Sequence, residues 1–305
     1  MAGFFIQQNQ DTLIFTDKKL SYKYNWCKTK LWCVIIGLLT SACLWQSSIS
    51  NIFNQISSLI IDDQEEVNQL ALAWQDDIDQ LVSLLDSQQL PAHLMEENPI
   101  LRGDEFDVMA VFNILDRIHV LEGYRLAYVY IYDGMGGYPV LYAYEEGTQP
   151  FLSNEEYLSA RPNCVDHNMN AAQCNILPYI VTDGSELGYL QLILLDQVGE
   201  QFYLYWHSAY RDIRFITTQA ALYREIDGIS DPFIPLTTYQ VRKAKRIDPT
   251  PEVRIDGEQI IVRTVWFTHW GGFFESRYTL NKDQPHEIID IEINNLVEYD
   301  CGIMF

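Results

Sequence analysis

Residues 125–145, RLAYVYIYDGMGGYPVLYAYE, decide the fold class. Tyrosines alternate with other side chains on either side of Asp133-Gly134-Met135-Gly136-Gly137, and a period of two sends successive side chains to opposite faces of a strand. The glycines supply the positive φ that a tight reversal needs. The segment therefore predicts an antiparallel hairpin, and the sequence on either side must supply what covers it.

Upstream the period changes. Val67, Leu70, Ala71, Trp74, Ile78, Leu81, Val82 and Leu85 recur at three and four, continuing a pattern begun at Ile49, so residues 49–88 predict one long amphipathic helix or two in series joined at IDDQEE. Pro91 disfavours helix at the residue before it and ends the run. Residues 104–120 predict a second helix capped by Asp104. Downstream, GYLQLILL and QFYLYWHS around DQVGE predict a second hairpin, and TTQAALYREI a helical or irregular section. Residues 252–305 predict a meander of five runs: EVRI and QIIVRTVWFTHW around Asp256-Gly257, FFESRYTL after Gly271-Gly272, HEIIDIEI, and LVEYDCGIMF. Helices first and antiparallel sheet afterwards make an α+β chain. Its parts are an N-terminal preface with a signal or membrane segment (1–42), a helical region (43–122) and a β-rich α+β domain (123–305).

Charge is spread unevenly. The 305 residues carry a formal balance of −22, yet residues 1–42 hold five lysines against Asp11 and Asp17. Between Cys43 and Tyr210 the only cations are Arg102, Arg117, Arg125 and Arg161. Such a surface repels phosphate backbones, which excludes nucleic acid as a partner. The switch falls at Leu31–Trp45, LWCVIIGLLTSACLW, preceded by Lys28 and Lys30. Basic residues before an apolar run and acids after it place the N-terminus in the cytoplasm and the bulk outside. Within that run GLLTSAC resembles a bacterial lipoprotein signal: Ser41 and Ala42 occupy the small positions before Cys43, which the resemblance makes the lipid acceptor. An uncleaved signal anchor and a buried apolar segment are the other ways to read the same run, since about 20 apolar residues span a bilayer and this run has 15. The lipid-anchored and signal-anchor readings both place the bulk in a bacterial cell envelope, membrane-anchored and facing the periplasm or exterior.

Cysteine usage agrees with export. Cys164 and Cys174 bracket a polar Asn-rich loop and predict a disulfide in an oxidising compartment. A metal alternative through Asp166 and His167 lacks the closely paired cysteines of structural zinc sites. Cys301 is the odd thiol and is expected buried in a terminal strand.

Motifs for chemistry are scarce. DGSELG places Gly184 next to Ser185, whereas a nucleophile elbow needs a residue between them. No two histidines stand at i, i+4, so a zinc helix motif is not indicated. His207 in YLYWHSAY, and His269 with Trp270 in VWFTHWGG, end aromatic strands where ligand-facing residues collect, although packing against Trp206, Trp266 and Trp270 accounts for both histidines as well. Arg242, Lys243, Lys245 and Arg246 form the one basic cluster, a solvated loop paired with the protein's own acids or a docking site for an anionic partner. No cofactor is implied.

Three function classes remain. The first is a membrane-tethered acidic envelope protein acting as a non-catalytic binding or structural module, with a protein or glycan partner. The second follows from the order of membrane segment, long helix and Tyr-rich hairpin over residues 31–200, which is similar to extracytoplasmic ligand sensors of the Cache/PAS kind. A hydrolase is the third, and it requires a pocket that brings two of Asp166, His167, His207 and His269 within hydrogen-bond reach.

Overall fold

The computed structural model describes residues 65, 67–167, 174–208, 212–229 and 233–302. The joint at IDDQEE, apart from Glu65, lies outside these residues, as do Cys43 and the whole apolar run around it.

Helix α1 (residues 67–86) turns Ala71, Trp74, Ile78, Leu81 and Leu85 inward at the predicted spacing. The predicted second helix is absent. Val108–Asn113 forms a single 3-10 stretch, started by Asp107, whose carboxylate accepts from Met109 N. The chain then reverses so that β1 (Ile118–Val120) can pair antiparallel with β4 (Ile180–Thr182). Its apolar residues answer to two different neighbours, which is why they do not form one helical stripe.

The Tyr-rich hairpin forms as predicted. Strand β2 (Tyr124–Tyr132) and β3 (Gly136–Glu145) pair in continuous register, and the short β5 (Tyr205–Trp206) adds to the far edge of β3. One face of this sheet carries Leu126, Tyr128 and Tyr130 into the main core, while Val129, Val140 and Tyr142 pack under helix α2 (Asn154–Ala160). The predicted disulfide, Cys164–Cys174, closes that second layer.

The predicted second hairpin is a helix. Glu186–Val198 is α3, with Ser185 as its cap accepting from Gly188 N at 3.0 Å and Glu186 in the first turn, where an acid complements the helix dipole. GYLQLILL is apolar on every side, and such a run carries no period to separate strand from helix. Length and cap decide it. Gln191 is the one fully buried polar side chain of α3. Its Nε2 donates to Asp77 Oδ2 on α1 at 2.8 Å, and its Oε1 accepts from Arg117 N at 2.8 Å.

The meander forms as four strands rather than five: β7 (Glu252–Asp256), β8 (Gln259–Thr268), β9 (Gly272–Asn281) and β10 (Ile288–Glu298). The order is β10-β9-β8, with β6 (Arg214–Ile216) and β7 both on the other side of β8. HEIIDIEI and the start of LVEYDCGIMF run on as one strand, so Tyr299 and the buried free Cys301 lie beyond the sheet, not in a terminal strand. Gly272 is required at the β8–β9 turn. Its φ is +98°, and a Cβ there would run into the carbonyl of Val297.

Two layers cover this sheet. Alternate residues such as Ile260, Val262, Tyr278 and Leu280 share the main core with α1, α3 and the hairpin. On the other face Val265, Phe267, Phe273 and Val297 pack beneath α4 (Gln219–Gly228) and α5 (Thr238–Ala244). Thr218 caps α4, and Thr237 with Gln240 forms a capping box on α5.

Asp196, near the end of α3, has no ion pair among the described residues, and its charge bears on Tyr278 of β9. Burial pushes its carboxyl up to about 6, against the opposing bond from Gln197. A carboxyl whose folded value lies above its unfolded one destabilises the folded state once ionised. Stability should therefore fall as pH rises from about 4 to about 6 and stay lowered above. Urea unfolding of Asp196→Asn across that range should show the variant more stable above pH 6 by up to about 3 kcal/mol, with no gain below pH 4.

Candidate functional site

Strand β2 is the outer strand of its sheet, and no strand pairs with its free edge among the described residues. A strap from Asn98 to Val108 runs past that edge instead. Glu105 anchors it: the carboxylate accepts from Arg102 N at 2.7 Å and Gly103 N at 2.8 Å, and meets His93 Nε2 at 2.8 Å. Burial alone would raise this carboxyl, but those donors hold it below the usual carboxylate range. Leu101 N donates to Leu152 O at 2.8 Å, fastening the strap to the segment before α2.

The strap does not close on β2. A slot of about 280 Å³ remains, walled by Leu101, Phe106, Leu126 and Phe151 and bordered by Arg125 and Asp107. Tyr128 also lines it, with 5% of its surface exposed. The neighbouring phenols are satisfied: Tyr130 donates to Tyr203 O at 2.7 Å, and Tyr203 Oη accepts from Phe106 N at 3.1 Å. Tyr128 Oη has no hydrogen-bond partner among the described residues. Burial, reinforced by Tyr203, Glu105 and Asp107, pushes its pKa far up, so it stays a neutral phenol with both hydrogen-bonding capacities unused. Leaving such a group unsatisfied costs about 1–3 kcal/mol, a reason to look for what meets it. Arg125 stands exposed at the same slot with no ion pair among the described residues.

The larger cleft, about 620 Å³, lies between α1, α4 and β6. Asp212, Arg214 and Glu225 line it as an ion chain, with Asp212 Oδ1 to Arg214 Nε at 3.0 Å and Arg214 Nη1 to Glu225 Oε1 at 3.3 Å, and His269 Nδ1 meets Asp212 Oδ2 at 3.0 Å. Burial works against the Asp212 charge, yet His269 and Arg214 keep its carboxyl below the usual range; for Glu225 burial wins over Arg214 and the carboxyl is raised. An aspartate that orients a histidine is two thirds of a nucleophilic triad. No hydroxyl or thiol bonds His269 among the described residues, however, and its ring stacks on Phe233 at 3.9 Å. Its ring also meets Phe267 edge-on, with centroids 5.1 Å apart.

The other predicted positions separate. His207 follows β5 on the hairpin sheet, beside Trp206 with ring centroids 4.6 Å apart, while His269 follows β8 on the five-stranded sheet. The Asp166 and His167 side chains lie outside the described set. Trp270 is half-buried and packs against the layer beneath α4 and α5. The basic cluster is no loop, because Arg242 and Lys243 sit in the last turn of α5, and Lys245 and Arg246 follow directly. Cations there complement the helix dipole. Lys245 Nζ lies 5.5 Å over the Tyr223 ring, and none of the four has an ion pair among the described residues.

The slot residues were not singled out by sequence. Arg125 carried the only signal, as one of four cations over a long acidic stretch.

The ion chain makes a stability prediction. Since the Asp212 carboxyl is held below its unfolded value, its contribution is present above about pH 4 and is lost as pH falls through the folded value. Asp212→Ala should destabilise the protein by about 1–3 kcal/mol at pH 7, because Arg214 is nearly half exposed and solvent screens its share of the interaction, and the deficit should shrink in urea titrations below pH 4. No family model, curated protein or solved structure matches this chain.

Proposed function

We propose that the chain is an acidic extracytoplasmic binding module, tethered to the membrane through its N-terminal segment with Cys43 as lipid acceptor, and that the slot beside β2 is its ligand site. The unpartnered Tyr128 hydroxyl carries this reading: a buried group that costs stability in the empty protein is explained by a ligand that satisfies it. The Cys164–Cys174 disulfide supports the compartment, because such bonds persist in oxidising surroundings.

The slot also limits the ligand. At about 280 Å³ it falls at the lower end of the roughly 300–1,000 Å³ typical of ligand pockets, so the ligand is small. Its walls call for an apolar body. Glu105 and Asp107 already serve N–H donors, whereas Arg125 is uncommitted. An aromatic or branched aliphatic carboxylate fits, with the acid at Arg125 and the body under the strap.

Thermal unfolding with phenylacetate, benzoate, 3-methylbutanoate and the neutral phenylacetamide tests the site. The carboxylates should raise the midpoint and the amide should not, and Arg125→Gln should abolish the rise. Tyr128→Phe should stabilise the empty protein by about 1 kcal/mol while weakening the ligand effect, a gain in stability at the expense of binding that marks a functional position. No response to any carboxylate, or one that survives Arg125→Gln, would remove the site. Intact mass of membrane-fraction protein tests the tether: an acylated species starting at Cys43 is expected, and a full-length unacylated one would rule out the lipid.

A further inference from the structure

Strand β10 ends the five-stranded sheet, and no strand lies beyond it among the described residues. It is eleven residues long and largely exposed. Long apolar edges are templates for another strand, and proteins usually blunt them. Here Ile289, Ile291 and Ile293 are 51%, 41% and 57% exposed. Residues opposite one another across a pair of strands share a face. Ile291 and Ile293 stand opposite Tyr278 and Ser276, so they lie on the α3 side, where the core has run out. Asp290 and Glu292 stand opposite Thr279 and Arg277 on the other face. Neither acid has an ion pair among the described residues, since Arg277 is engaged by Glu275 at 3.3 Å. Bulges at Ile288/Asp290 and Asn295/Val297 leave the stretch between them regular.

Helix α5 lies on the acids' face, at the far end of the same strand. Gln240 Nε2 donates to Glu298 O at 2.8 Å, and Ala244 packs in the same layer as Val297. Its cations, Arg242, Lys243, Lys245 and Arg246, point away from that layer and are exposed.

We propose that two copies of the chain associate edge to edge through β10, antiparallel, about a two-fold axis near Ile293. Such an axis runs perpendicular to the sheet, so each face continues into the same face of the second copy. The first half of one β10 then lies beside the second half of the other. Asp290 and Glu292 of each copy meet the basic cluster of its mate, and the isoleucines form one continuous apolar strip on the opposite face. The contact is isologous and closes, leaving no edge for a third copy. Register follows from the same charges. Centring on Glu292 would oppose the two glutamates, whereas centring on Ile293 sets Glu292 opposite Asn294 of the second copy. The acids and bulges deter other strands, while the cations of α5 admit this one. The cluster's docking partner is thus the chain itself, and the inference does not depend on the ligand slot.

Directly opposed, hydrogen-bonded residues of antiparallel strands have Cα atoms about 5.5 Å apart, within disulfide reach. Ile293→Cys in the full chain in detergent, oxidised with copper phenanthroline, should give at least about five times more covalent dimer than the parent chain, which sets the background of native cysteines, or than Leu72→Cys on exposed α1. Reversing Arg242, Lys243, Lys245 and Arg246 to Glu in the Ile293→Cys chain should return dimer to background. Adding Asp290→Lys and Glu292→Lys should restore it. Cross-linking at Ile293→Cys no greater than at Leu72→Cys, or insensitivity to the charge reversal, would overturn the proposal, and so would failure of the second reversal to rescue.

Discussion

A helix that is apolar all round has to be given partners in every direction, and α3 is that helix. The Tyr-rich sheet, the meander and α1 share one buried cluster with it. This requirement explains why two sheets with separate hydrogen bonding share one core. It also explains Gln191. A polar side chain at the centre of so dry a helix is tolerable only if fully bonded, and its bonds to Asp77 and to the Arg117 backbone tie α1 and the β1 approach to the same point.

What was legible in the sequence follows from the same physics. The first hairpin and most of the meander could be read because alternation is visible in one dimension and glycine turns mark the reversals. Helix α3 could not, because burial on every side erases the period; the cap at Ser185 was present, but the same residues drew attention as a failed nucleophile elbow. Residues 104–120 misled for the opposite reason, since apolar residues serving two neighbours mimicked one stripe. The site was less legible still. His269 was found, yet its fixed place between Asp212 and Phe233 depends on residues distant in the chain. Tyr128 looks like any other tyrosine of its strand. What sets it apart is a missing hydrogen bond, which exists only once the strap and Tyr203 are in position.

Charge organises the surface as burial organises the interior. Acids dominate, and two of the cations are drawn into the fold: Arg263 bonds Glu275 and two backbone carbonyls, and Arg161 lies over the rings of Tyr142 and Tyr157. Arg125 and the α5 cluster have no ion pair among the described residues. Each stands beside an opening the fold has left, at the slot and at the free edge of β10.

The two oxidised cysteines and the sheltered third one also bear on how the chain reaches this state. Cys164 and Cys174 are ten residues apart, whereas Cys301 lies more than a hundred residues from either. In an unfolded chain, ring closure over ten residues is favoured over closure across so long a span by roughly 40-fold, from the three-halves power of the length ratio. Among these three cysteines the native bridge is therefore the one that forms first by chance encounter. Once Tyr299 and its neighbours pack, the Cys301 thiol is enclosed and can no longer attack the bridge. Of these three thiols, the odd one is kept from scrambling by proximity before folding and by burial afterwards.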